Sequence, residues 1–90
     1  VTDDELSADD LEAMLERVRH LEFQYAVAQV KRASHLRQLK KLEDAPMQDR
    51  TLAHQRQLAH HKGEVRAHEQ VMRDSIREAQ RLESAAMTGG

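Results

Sequence analysis

The sequence predicts an all-α fold: two long helices forming an antiparallel, coiled-coil-like hairpin, completed by oligomerisation or a partner into a helical bundle. Three observations carry this. Apolar residues recur at three- and four-residue steps on both sides of a single break. That break holds the chain's one proline, Pro46. Aromatic residues make up only 2% of the chain, while charged residues reach 33%. A chain this poor in large side chains cannot fill a compact core. At 90 residues it buries only about 60–65% of its unfolded surface when it folds alone. Helices packed side by side suit both limits, and the abundance of Ala, Leu, Glu, Gln, Arg and Lys suits helices.

The first helix is expected from about residue 7 to about residue 44. Thr2 with Glu5 has capping-box spacing, and Ser7 with Asp10 is a weaker version. The acids between Asp3 and Glu12 suit the positive end of a helix dipole. From there Leu11, Leu15, Val18, Leu21, Tyr25, Leu36 and Leu39 recur at helical steps. The stretch Phe23–Val30 is β-prone in isolation, but the helical pattern continues on both sides of it.

The turn is expected at residues 45–48. Proline inside a helix loses a hydrogen bond and clashes with the preceding turn, and it pushes Ala45 away from helical angles. Asp49 is then a good N-cap for a second helix running from about residue 49 to about residue 86. Two heptad rows mark that helix: Thr51, Leu58, Val65, Met72, Ala79, Ala86, and beside them His54, His61, His68, Ser75, Leu82. Ile76 widens the stripe. Residues 87–90, which include Gly89 and Gly90, form a frayed tail.

Helices of similar length joined by a short turn fold back on each other. Folding about Pro46 sets Val65 beside Ala28, Met72 beside Leu21, Leu82 beside Leu11, His61 beside Arg32 and His68 beside Tyr25. Gly63 falls near Val30, where the helices are expected to approach closely. Residues 1–16 carry seven acids and no Lys or Arg, and this charge is expected to be met by Arg77 opposite Glu16 and Arg81 opposite Glu12. A chain merely kinked at Pro46 would instead extend as a rod of roughly 120 Å. Phe23, Val27 and Val30 lie on the face of helix 1 away from its main stripe. A two-helix hairpin covers one face only, so these three residues form the expected protein interface.

Other residue patterns admit chemistry and are weighed in turn. His54, His61 and His68 stand one heptad apart in the seam. Unperturbed imidazole titrates near 6.5, so the row is a candidate pH switch; its plainer role is a set of partly solvated polar seam positions. His61, Glu64 and His68 suggest a metal, but two histidines seven residues apart on one helix are separated by about 10 Å, so no metal site and no cofactor is assigned. Lys31, Arg37, Lys40 and Lys41 gather toward the hairpin tip as a candidate nucleic-acid contact, against an overall charge of −2 and without a recognition motif. Catalysis is not expected: there is no Cys, no Gly-rich phosphate loop and no Ser-His-acid geometry, so no enzyme and no small-molecule substrate is implied. No apolar run approaches the roughly 20 residues that span a bilayer, and no signal-peptide core is visible. The expected setting is therefore soluble, cytoplasmic or particle-associated. The chain opens with Val rather than Met, as a processed or excised product, or one begun at an alternative start codon, would.

In format the chain resembles the needle and rod subunits of type III secretion systems, in length and in the mid-chain proline break. Its turn, Ala45-Pro46-Met47-Gln48-Asp49, departs from their turn signature. It is also similar in size and charge to small helical scaffolding, tail or head-completion proteins of phages. Either resemblance implies a non-enzymatic structural, assembly or chaperone-like subunit. Such a subunit acts through helix–helix contacts with itself or with a protein partner. The alternative is a small regulator that binds nucleic acid through the basic tip or responds to pH or metal through its histidines.

Overall fold

A computed structural model describes residues 7–88. Helix α1 runs Ala8–Glu43 and helix α2 runs Leu52–Thr88, with a single 3-10 turn, Met47–Asp49, between them. The helices fold back and pack along their length as an antiparallel hairpin of 72 × 15 × 14 Å. The extended rod is thereby excluded. Thr2, Glu5 and the acids before Ser7, like Gly89 and Gly90, lie outside the described residues.

Three helix ends, both of α1 and the first of α2, are satisfied by identifiable groups. The Ser7 hydroxyl accepts the Asp10 backbone N–H at 3.1 Å, and Asp9 and Asp10 occupy the first turn of α1. At the other end Lys40 and Lys41 sit in the last turn, where cations complement the free carbonyls. Arg50 completes this end from across the turn. Its guanidinium donates to the Glu43 carbonyl at 3.0 Å and to the Ala45 carbonyl at 3.3 Å.

Helix α2 begins three residues later than Asp49. Pro46 is extended, with ψ 154°, and the Asp49 N–H donates to the Pro46 carbonyl at 2.9 Å. This spends Asp49 inside the 3-10 turn. Thr51 takes over as the cap: its hydroxyl accepts the His54 N–H at 3.3 Å, and its carbonyl accepts the Gln55 N–H at 3.1 Å.

The later start shifts the register along the hairpin. Arg17 pairs with Glu78, and Arg32 with Glu69 at 3.5 Å; these replace the expected pairs of Arg77 with Glu16 and Arg81 with Glu12. Gly63 is not a point of close approach. It is exposed, and a Cβ built on it would meet nothing within 4 Å.

The seam follows one heptad on each helix. On α1 the buried positions are Leu21, Ala28 and Leu39. Met14, Val18, Tyr25, Arg32, His35 and Leu42 are half-buried in the same steps. On α2 His54, Val65 and Ser75 are buried; Leu58, His61, His68, Met72, Ala79, Leu82 and Ala86 are half-buried. Four residues assigned to the seam from sequence are exposed instead. Leu11 is 40% exposed, Leu15 57%, Leu36 38% and Ile76 45%. For Leu15, Leu36 and Ile76 the physical reason is register; Leu11 keeps the seam's step one heptad before Val18 and lies in the first turn of α1, at the open end of the hairpin. Once Leu21, Ala28 and Leu39 face α2, the same three- and four-residue steps bring Met14 and His35 inward. Leu15 and Leu36, one residue on, are turned about 100° away.

Candidate functional site

In the part of the seam nearer the turn the apolar packing gives way to a layer of imidazoles. His35 comes from α1; His60, His61, Glu64 and His68 come from α2. Glu64 and His68 stand four apart on one helix, where side chains share a face. The His68 Nε2 lies 3.4 Å from a Glu64 carboxylate oxygen. His35 reaches the same oxygen from the opposite helix, with its Nε2 at 3.9 Å. The His35 and His68 rings are stacked, 5.5 Å between centroids and 21° between planes. On its other side His35 meets His61, Nδ1 to Nδ1 at 2.8 Å, and His60 packs edge-on to both rings.

A hydrogen bond between two ring nitrogens needs one protonated and one bare nitrogen. At least one of these two Nδ1 atoms must therefore lack its proton, and a second cation in the pair is opposed. Burial in the seam holds the His61 pKa below its ordinary 6.5; His35 and His60 push it the same way, and Glu64 opposes them.

The other sequence-assigned residues fall elsewhere. His54 is buried near the turn, outside the imidazole layer, so the heptad row does not act as one group. His61 and His68 belong to the layer; His35 and His60, which the row omits, complete it. His35 was legible only through the seam register, since it sits two heptads after Leu21. Lys31, Arg37, Lys40 and Lys41 are exposed, and Lys40 and Lys41 already complement the end of α1.

A second feature lies along one edge of the seam, toward the open ends of the helices. Phe23 and Val27 from α1 and Val71 from α2 line an open groove of about 540 Å³, rimmed by Lys31, Asp74 and Glu78. Phe23 is 67% exposed, Val30 68% and Val71 42%, and Val27 is half-buried. Arg17 closes the end of this edge with a two-pronged bond to Glu78, at 2.9 and 3.1 Å. That fork holds the Glu78 carboxyl below the usual carboxylate range. Among the described residues no helix is long and apolar enough to cross a membrane. No family model, curated protein or solved structure matches the chain.

Proposed function

We propose that the hairpin is a non-enzymatic assembly subunit that works through helix–helix contact, with Phe23, Val27 and Val30 as its docking face. The observation that carries this is the exposed Phe23 beside the Val27/Val71 groove. A side chain of this size, left in water at mid-helix next to two valines, favours burial against an apolar partner by about 1.5–3 kcal/mol. The thin seam supports the same reading. Among the described residues its buried apolar residues are Leu21, Ala28, Leu39 and Val65, while ten large apolar residues are exposed. A two-helix unit with that balance gains more from a further helix than from any rearrangement of its own. The groove is open and rimmed by both signs of charge, which suits an amphipathic helix. A second copy of this hairpin supplies one.

Light scattering on a sizing column tests this. The native chain is expected to run as a dimer or larger species, and Phe23→Asp or Val27→Asp to run as a folded monomer. A native chain that is a helical monomer throughout, with Phe23→Asp leaving its solubility and its partners unchanged, defeats the assignment.

A further inference from the structure

Beyond assembly, we infer that His35, Glu64 and His68 form a binding site for a divalent transition cation of the zinc class, with His61 orienting His35. The three donor atoms already lie within 4.8 Å of one another. Around tetrahedral zinc, with bonds near 2.0–2.1 Å, donors stand about 3.3 Å apart. His68 and Glu64 are at that spacing, at 3.4 Å, and His35 needs only a small ring movement from 3.9 Å. The Nε2 atoms of His35 and His68 both lie near one Glu64 carboxylate oxygen, at 3.9 and 3.4 Å, so the three donors share one small volume.

The contact between His35 and His61 supplies what a ligating histidine requires on its far side. When His35 Nδ1–H donates to His61 Nδ1 at 2.8 Å, the His35 Nε2 is left bare, with a lone pair that can bind a cation. Metal-bound histidines are fixed in this way by a hydrogen bond from the other ring nitrogen. Two neutral imidazoles and one carboxylate suit a borderline cation such as zinc or cobalt; magnesium and calcium prefer all-oxygen sets. Glu64 is 40% exposed, which leaves a route for the ion and a fourth position for water.

Because His35 belongs to α1 and the other two ligands to α2, the ion would clamp the hairpin. Binding to the folded form alone raises its stability by mass action. The untagged full chain is titrated with zinc, and separately with cobalt, following the cobalt visible absorption and the thermal midpoint. One ion per chain is expected. The midpoint should rise on the order of 10 °C when zinc exceeds its Kd a hundredfold, and magnesium should have no effect. His35→Gln, Glu64→Gln and His68→Gln should each weaken binding at least tenfold. His61→Gln should weaken it about tenfold, the usual effect of losing an orienting partner. His20→Gln, outside the layer, should bind as the native chain does. The inference is overturned by three results: zinc leaving the midpoint unchanged, binding that survives His35→Gln, or binding lost only with His60→Gln. The last would place the ion on the outside of α2 alone.

Discussion

The outer part of the seam and its histidine layer share one heptad geometry and differ in what fills it. Outward from the layer, Leu21 and Ala28 are buried and Val18, Tyr25, Met72 and Leu82 flank them. At the layer, positions in the same steps hold Arg32, His35, His61 and His68. The backbone is continuous helix through both. Backbone geometry therefore does not distinguish them; the division is between apolar burial that holds the hairpin and polar groups that give up such burial. A pair of facing histidines in a seam this thin stabilises less than a pair of leucines. The layer persists at a cost, which is the mark expected of a site kept for something other than packing.

Removing the best-buried side chain from the outer part should have the largest effect. Leu21 is 2% exposed, and Leu21→Ala is expected to destabilise by about 2–4 kcal/mol through lost transfer energy and a residual cavity. Urea unfolding followed by helical circular dichroism measures it. A loss below about 1 kcal/mol would mean that the outer part is not what holds the helices together.

The converse substitution belongs to the layer. Replacing His35 and His61 together by Leu restores apolar seam positions and removes the nitrogen pair without orphaning either member. It is expected to stabilise by about 1–2 kcal/mol. It should also flatten the acid response. The folded pKa of His61 is lowered, so the unfolded chain binds its proton first. The stability tied to the neutral ring is complete above the ordinary value of 6.5 and is lost as the pH falls through the lowered value. Unfolding curves between pH 7.5 and 5 should show this decline in the native chain and not in the double variant. An unchanged slope would remove His61 from the pH response.

How much of this division was legible beforehand depends on which helix is considered. On α2 the two heptad rows are uninterrupted from His54 to Ala86, so the strip that faces α1 could be read from periodicity alone. On α1 two apolar patterns compete. Leu15 and Leu36, three heptads apart, belong to one, while Met14, Ala28 and His35 continue the steps of Leu11, Val18, Leu21 and Leu39. Small and polar residues carry little hydrophobic signal, so the sequence favoured the leucines and passed over His35. The register depended in turn on where α2 begins. Asp49 and Thr51 are both competent caps, and only the hydrogen bond from Asp49 to Pro46 decides between them. Three residues of delay are enough to exchange the partners of every cross-helix ion pair and to bring His35 rather than Arg32 against His61.

A smaller effect separates the seam from the outside of the helices. Gly63 stands one turn after His60 and immediately before Glu64, yet a Cβ there meets open space. Gly63→Ala is expected to stabilise by about 0.5–1 kcal/mol through helix propensity alone, with zinc affinity unaltered. Destabilisation instead would mean that the helices do approach at this point in solution, and the register would have to be redrawn.

The smallest effect, and the one that sharpens the comparison most, concerns Arg17 and Glu78. Their fork lies at the outer part, on exposed side chains, where solvent screens most of the attraction. A double-mutant cycle with Arg17→Ala and Glu78→Ala should give a small favourable coupling that shrinks between low and high salt. Its pH dependence runs in a different window from that of the histidines. The lowered Glu78 pKa makes its contribution complete above the ordinary 4.5, and that contribution is lost as the pH falls through the lowered value. Acidification should therefore weaken the hairpin in two stages, first at the imidazole layer below 6.5 and only later at the outer fork. If the Arg17–Glu78 coupling instead faded together with the histidine response, the two regions would be unfolding as one unit, and the distinction between a holding part and a responsive layer would fail.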